Sequence, residues 1–213
     1  MSEPISRRTM MTGTAALTLC FTAESPGEES QKDASPVQSA EEALRRLKEG
    51  NQRFVTGKTL HAHESADWRK HLVATQAPFA TILGCSDSRV PIELVFDQGF
   101  GELFVIRVAG NVIAPDIVGS IAYAFEHLHN KLFVVMGHES CGAVTAALAE
   151  RKKPTEKAPA IKALVKLISP GLPPVSETVS SEQAVSAAVE ANVRYSMRQL
   201  LLNPRSQRSG RAW

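Results

Sequence analysis

The chain has 213 residues, of which 43 % are hydrophobic and 22 % are charged, and this composition suits one globular domain with a terminal extension. Its formal net charge is only +2, which argues against a general nucleic-acid-binding surface. Three cysteines are too few for a disulfide scaffold, so a single disulfide, metal ligation or no special role remain open for Cys85 and Cys141, the two outside the N-terminal region.

The N-terminus is predicted to be a sorting segment. Arg7 and Arg8 precede an uncharged apolar stretch over residues 11–23, which has the order of a leader and is too short for a stable membrane span. The arginine pair resembles a twin-arginine signal, so we expect export to the periplasm. A disordered N-terminus with chance arginines is the alternative, and the protein would then be cytoplasmic. Residues 24–38 are rich in Ser, Glu, Pro and Gly, and residues 1–38 are therefore interpreted as leader and flexible linker.

Ser39 begins the first predicted helix. Ser39 and Glu42 have the spacing of a capping box, and apolar residues follow at helical intervals as far as Phe54. Gly57 is expected to end this helix. It opens the predicted globular domain, residues 39–203, and residues 204–213 are expected to form a disordered tail.

Short apolar runs alternate with helical patterns in the rest of the chain. Three runs are rich in β-branched or aromatic residues and predict buried strands, over residues 79–84, 103–108 and 131–136. Helical periodicity covers residues 116–128, 140–151, 160–168 and 181–202. In the last of these helices, the expected inward positions include Met197, Leu200 and Leu201. This alternation predicts an α/β domain with a mostly parallel central sheet of about four strands, flanked by helices.

Two short segments follow the first and third predicted strands. Gly84-Cys85-Ser86-Asp87-Ser88-Arg89 follows the first strand, and Gly137-His138-Glu139-Ser140-Cys141-Gly142 follows the third. The carboxyl ends of parallel strands line one crevice, so two thiols and one imidazole meet at the same edge. These ligand types suit zinc, and three protein ligands leave a fourth position open, as in catalytic sites. Inert buried thiols and a hydrogen-bonded core histidine are the alternatives.

Asp87 and Arg89 lie two and four residues after Cys85. Arg89 can pair bidentately with Asp87, which would hold the carboxylate ionised and aimed beside a bound metal. The alternative is an ordinary surface ion pair, which would contribute little to stability.

Together these segments resemble the β-class carbonic anhydrases. The similarity runs over about residues 39–202, and residues 107–111, after the second predicted strand, add to it. The resemblance implies a β-carbonic anhydrase-like fold that binds one zinc ion per chain through Cys85, His138 and Cys141.

The resemblance also implies roles for four further residues. Asp87 and Arg89 form an orienting pair, and Asp87 is in addition a metal ligand that closes onto zinc in a resting state. Gln98 and Gly142 take part in substrate binding. A simple turn residue is an equally good interpretation of Gln98.

The activity implied by the resemblance is the reversible hydration of carbon dioxide to bicarbonate and a proton. Hydrolysis of carbon disulfide or carbonyl sulfide, or non-catalytic binding of zinc or bicarbonate, remain alternatives, and the absence of a C-x-x-C pair disfavours a thiol-redox role.

The resemblance also implies a homodimer or higher homo-oligomer. Family members usually continue past the last helix into one more strand, and because residues 204–213 have no strand pattern we expect the sheet to lack it.

Overall fold

The structure, a computed structural model, describes residues 37–154, 156–174 and 180–202. The predicted leader, most of the linker and the predicted tail lie outside the described residues. The helices are α1 (Ala40–Val55), α2 (Ala66–His71), α3 (Ile92–Val95), α4 (Pro115–Leu128), α5 (Gly142–Lys152), α6 (Pro159–Ile168) and α7 (Ser181–Leu201). The strands are β1 (Ala80–Gly84), β2 (Leu103–Arg107) and β3 (Leu132–Val135). Two 3₁₀ turns cover Ala109–Asn111 and Ser169–Gly171.

The strands form one parallel sheet in the order β2-β1-β3. Ala80 of β1 lies opposite Leu103 on one side and Leu132 on the other, so the three strands start and end nearly level. The predicted α/β fold with a parallel sheet is confirmed. The described part of the chain supplies three strands where the sequence suggested about four, and the region after α7 lies outside it.

Helices cover both faces of the sheet, and β1 is consequently buried along its whole length. Successive strand residues point to opposite faces. Ile82 packs with Leu47 of α1 on one face, while Leu83 packs with Ile117 of α4 and Leu200 of α7 on the other. This double coverage explains why β1 is a continuous apolar run rather than an alternating one.

A further apolar cluster lies at the carboxyl edge of the sheet. Cys85 and Cys141 are part of it, together with Val144 of α5, Ile168 of α6 and Ala188 of α7. The three helices therefore close off this edge from solvent on the side of the two cysteines.

Side-chain caps mark the starts of the two longest described helices, α1 and α7. The hydroxyl of Ser39 accepts a hydrogen bond from the N–H of Glu42 over 3.2 Å, and Ser180 and Gln183 form a capping box on α7. The sequence did not predict α2 and α3, because six and four residues are too few to show a helical period. Among the described helices, none combines the length and apolar character needed to cross a membrane.

Candidate metal centre

Two strand ends and one helix start deliver the predicted ligands. Cys85 directly follows β1, and His138 lies three residues after the end of β3. Cys141 is the residue that precedes the first turn of α5. Ser140 has a positive φ of 54°, and this left-handed residue turns the chain from the strand end into the helix.

The side chains of Cys85, His138 and Cys141 converge. One possible ligand atom from each lies within 4.8 Å of the other two. Both cysteines are free thiols, and their Sγ atoms are 4.0 Å apart, whereas a disulfide bond measures about 2.05 Å. Cys85 is 6 % exposed and Cys141 is 2 % exposed. The structure thus brings the three predicted ligands together in a position shielded from solvent.

One ring nitrogen of His138 makes a hydrogen bond, and the other is free to bind a metal ion. Nδ1 lies 2.9 Å from the main-chain carbonyl oxygen of Glu139, and since a carbonyl can only accept, Nδ1 carries the proton. Nε2 is buried and has no hydrogen-bond partner. An unsatisfied buried nitrogen is costly, and coordination to a cation would satisfy it. This is also the arrangement by which proteins commonly orient a metal-binding histidine.

The surroundings of Cys141 act on its ionisation in opposite directions. Burial raises the pKa of this thiol, and so does the neighbouring Cys85 sulfur, while the backbone N–H groups of Val144 and Ala143 lower it; the net effect is a raised pKa. The Cys141 thiol therefore resists becoming a thiolate on its own. A cation shared between the sulfurs removes that resistance, so the donor set of two sulfurs and one imidazole nitrogen fits zinc.

Arg89 holds the carboxylate of Asp87 in a two-pronged contact. Nε donates to Oδ1 over 2.9 Å, Nη2 donates to Oδ2 over 2.8 Å, and the backbone N–H of Arg89 adds a 3.0 Å bond to Oδ1. These hydrogen bonds keep the pKa of Asp87 well below its ordinary value. Oδ2 lies 3.8 Å from Nε2 of His138. The ion pair is therefore part of the candidate centre and not an isolated surface contact.

Arg107 is a residue of the centre to which the sequence analysis gave no role. Nε donates to the carbonyl oxygen of Cys85 over 3.0 Å, and Nη2 donates to that of Asp87 over 2.7 Å. It thereby fixes the main chain on both sides of Ser86. The available signal was the resemblance of residues 107–111, which marks the segment but not these contacts.

Among the described residues, neither Gln98 nor Gly142 makes a side-chain hydrogen bond to the three candidate ligands. Nε2 of Gln98 donates to the carbonyl oxygens of Phe96 and Asp97 over 2.8 and 2.9 Å, beside Gly50 of α1. These contacts are those of a turn residue, and the substrate-binding role of Gln98 stays a prediction. Gly142 follows Cys141 at the start of α5 and has open space where a side chain would stand, so its role also stays a prediction.

The fold and the convergent side chains define an α/β protein with a candidate Cys-His-Cys metal centre at the carboxyl edge of a parallel sheet. The family model for carbonic anhydrase matches residues 80–211. The chain belongs to the β-class carbonic anhydrase family.

Relatives and solved structures give the extent of this likeness. The chain is 48 % identical over 130 residues to carbonic anhydrase 2 of Mycobacterium tuberculosis, which covers 61 % of this chain and 63 % of that protein. The chain thus spans somewhat less than two thirds of that relative. A β-carbonic anhydrase of Coccomyxa, solved with acetazolamide, is 25 % identical with a TM-score of 0.59, covering 78 % of this chain and 75 % of that one. A tetrameric β-carbonic anhydrase of Sordaria macrospora has a TM-score of 0.60 at 23 % identity, covering 78 % and 85 %.

Proposed function

We propose that this protein is a zinc-dependent carbonic anhydrase that hydrates carbon dioxide reversibly to bicarbonate and a proton, with residues 39–203 as its catalytic domain. The observation that carries the proposal is the convergence of Cys85, His138 and Cys141 within 4.8 Å of one another. Membership of the β-class family supports the reaction type.

One zinc ion per chain would be held by the two sulfurs and by Nε2 of His138. When bound, zinc acts as a Lewis acid that lowers the pKa of water from near 16 to about 7, which supplies a nucleophile at neutral pH. The three residues leave a fourth ligand position open, as a catalytic centre requires.

Asp87 would orient the molecule that reacts with carbon dioxide. Because Arg89 keeps the pKa of Asp87 low, the carboxylate is ionised at physiological pH and can only accept hydrogen bonds. Arg89 occupies one side of both oxygens, so a donor must approach from the side facing His138. Arg107 binds the main-chain carbonyl groups of Cys85 and Asp87 and so fixes the position of the Asp87 carboxylate relative to the Cys85 sulfur. In a resting state the same carboxylate would itself serve as a metal ligand.

Metal analysis combined with gas assays tests the proposal on the purified full chain. We expect zinc close to one ion per chain and rapid exchange of labelled oxygen between carbon dioxide and water, both lost in Cys85→Ser. Bound zinc without exchange would instead identify a binding protein. Turnover of carbon disulfide or carbonyl sulfide without exchange would identify a hydrolase of those gases. Full zinc and full exchange in Cys85→Ser would show that the ligand assignment is wrong.

We also propose that the protein forms a homo-oligomer. Phe54 and Val55 at the end of α1 are 44 % and 69 % exposed, and the following Leu60 is 59 % exposed. Exposed large apolar side chains so close together in the sequence favour contact with another protein surface. The tetrameric relative from Sordaria macrospora supports association with copies of the same chain. Light scattering after size exclusion should give a mass of at least two chains; a monomer at micromolar concentration would contradict this.

We propose that the N-terminal segment directs export as a twin-arginine leader. Arg7, Arg8 and the apolar stretch over residues 11–23 lie outside the described residues, so the support is the sequence pattern alone. Replacement of both arginines by lysine should retain the protein in the cytoplasm. Sequencing the N-terminus of the mature protein would show whether a segment is removed.

A further inference from the structure

The sulfur of Cys85 accepts a hydrogen bond from a backbone N–H group. The donor is Gly110, whose nitrogen lies 3.3 Å from Sγ. Gly110 and Asn111 have positive φ values of 68° and 43°. Glycine adopts this region freely, whereas Asn111 carries a Cβ atom and enters it at a modest cost, so contacts from the surroundings help to hold the turn.

The support for this turn comes from α7. Nδ2 of Asn192 donates to the carbonyl oxygen of Gly110 over 2.7 Å, and the hydroxyl of Ser196 donates to that of Asn111 over 2.9 Å. Residues four apart lie on the same face of a helix, so both side chains reach the turn together. Each is 1 % exposed, so water does not compete for these bonds.

The polar contacts carry a cost that an apolar side chain would avoid. Oδ1 of Asn192 is buried and has no hydrogen-bond partner. An unpaired buried amide oxygen is unfavourable, and a leucine of similar volume at this position would not have one. The bond from Asn192 to Gly110 is the contact for which the amide is needed, since Nδ2 makes it and Oδ1 makes none.

We propose that Asn192 and Ser196 are positioning residues of the metal centre. By holding the carbonyl groups of Gly110 and Asn111, they aim the N–H of Gly110 at the sulfur of Cys85. This inference rests on the proposed zinc site. An N–H donor withdraws charge from a thiolate and fixes its direction, and partners of this kind change metal affinity by about 10- to 100-fold when removed.

Three variants of α7 separate positioning from general stability. Asn192→Leu removes the donor at nearly constant volume, and Ser196→Ala removes one hydroxyl group. Leu200→Val is the matched control, because Leu200 is a buried core residue one turn beyond Ser196 that belongs to the apolar cluster around α4. It alters core packing of the same helix and leaves the side chains of Asn192 and Ser196, which bind the turn, in place.

The first readout is the zinc dissociation constant, measured by competition with a chromophoric chelator. We expect affinity about tenfold weaker in Asn192→Leu, a smaller loss in Ser196→Ala, and no change in Leu200→Val. In the cobalt-substituted protein the sulfur-to-metal charge-transfer band should move to lower energy in the first two variants only, because a thiolate without the donor is more electron-rich.

The second readout needs no metal. Hydrogen exchange of the Gly110 amide, compared with amides of β1 in the same metal-free sample, should accelerate in Asn192→Leu and Ser196→Ala but not in Leu200→Val. Unchanged exchange, or unchanged affinity and charge-transfer energy in a wild type that does bind zinc, would overturn the inference. A wild type without zinc affinity would contradict the proposed function instead, and the exchange comparison would still decide whether α7 holds the turn. If Asn192→Leu fails to fold, Ser196→Ala carries the same comparisons.

Discussion

At the scale of single residues, the contact between Asp87 and Arg89 depends on the shape of the guanidinium group. Its planar fork places two N–H groups on the two carboxylate oxygens, at 2.9 and 2.8 Å. A lysine ammonium has the same charge but cannot match both oxygens in this geometry. Replacing Arg89 by lysine therefore keeps the positive charge beside Asp87 but removes the geometry that orients its carboxylate.

Under the proposed function, Arg89→Lys should keep zinc and lose activity. We expect kcat/KM for carbon dioxide hydration to fall by about 100-fold, the effect typical of a reacting group displaced by about 1 Å. Stopped-flow hydration assays normalised to zinc content measure it. Arg45→Lys is the control, since Arg45 pairs with Glu49 on the exposed side of α1 and the same exchange there should leave activity unchanged. Wild-type kcat/KM in Arg89→Lys would mean that the fork does not orient Asp87.

The turn beside Cys85 is sensitive to a single added methyl group. A Cβ atom on Gly110 would lie 2.8 Å from Cδ1 of Ile168 and 3.2 Å from Cβ of Ala143, at a φ of 68°. Gly110→Ala should therefore lower the free energy of unfolding by about 1–3 kcal/mol, measured by urea denaturation. Gly119→Ala in α4 meets no atom within 4 Å and should instead raise it by about 0.5–1 kcal/mol. Equal effects of the two substitutions would refute the requirement for glycine at position 110.

The sequence predicted the three side chains that converge at the candidate metal centre, but not the residues that support them. Cys85 and His138 carry distinctive chemistry at strand ends, so their type and position pointed to a metal. Arg107, Asn192 and Ser196 act by donating to main-chain carbonyl groups. Such contacts join residues far apart in the chain and have no characteristic spacing, so only the folded structure shows them.

At the scale of elements, the periodic patterns predicted where helices and strands lie better than they predicted which face of a helix is buried. The sequence favoured Met197, Leu200 and Leu201 as inward positions of α7. Leu200 is 8 % exposed, but Met197 and Leu201 are 47 % and 48 % exposed, so the prediction was wrong for these two. Buried Asn192 and Ser196 occupy the inward stripe instead. The error came from assuming that polar residues face solvent, which fails where they are bonded to buried carbonyl groups.

One ion pair ties α1 to the segment after α3. Nε of Arg53 lies 2.5 Å from Oδ2 of Asp97, whose side chain is 2 % exposed. The backbone N–H groups of Leu60 and His61 also donate to this carboxylate. Burial alone would raise the pKa of Asp97, but these hydrogen bonds outweigh it and the net pKa is lowered.

The sign of this shift predicts how stability changes with acid. A carboxyl group whose pKa is lowered by folding stabilises the protein above its unfolded pKa of about 4, and the contribution disappears as the pH falls towards the folded value. Asp97→Asn should lower the free energy of unfolding by about 1–3 kcal/mol at pH 7, and the difference from wild type should shrink at pH 3. Urea denaturation at both pH values measures it.

A surface carboxylate provides the control for that experiment. Asp67 pairs with Lys70 on α2, and the two side chains are 78 % and 76 % exposed. Asp67→Asn should leave the free energy of unfolding nearly unchanged at both pH values. The assignment to Asp97 fails if both variants behave alike.

At the scale of the whole molecule, the order of the strands in the sheet could not be predicted from the sequence. The apolar runs identified three strands, but nothing in their composition placed β1 between β2 and β3. The order is set by pairing of β1 with both other strands, between residues more than 20 positions apart in the chain. The order matters for the centre, because it brings the ends of β1 and β3 side by side and sets Cys85 next to His138.

A bound zinc ion would cross-link three parts of the fold. Cys85 follows the central strand, His138 follows an edge strand, and Cys141 precedes α5. Removing the metal should therefore destabilise the ends of β1 and β3 and the start of α5 together. At free zinc 100-fold above the dissociation constant, linkage gives about 2.7 kcal/mol of stabilisation, and for a domain of this size that corresponds to a Tm higher by about 5–10 °C.

Calorimetry of the zinc-loaded and chelator-treated protein measures this shift, with Cys85→Ser as the control in which zinc should not change Tm. The shift should also depend on pH. Burial raises the pKa of Cys141, so a bound metal must displace the proton of this thiol, and acid competes with zinc. The difference in Tm should accordingly shrink as the pH is lowered. Equal Tm values with and without chelator at neutral pH would show that no metal links β1, β3 and α5.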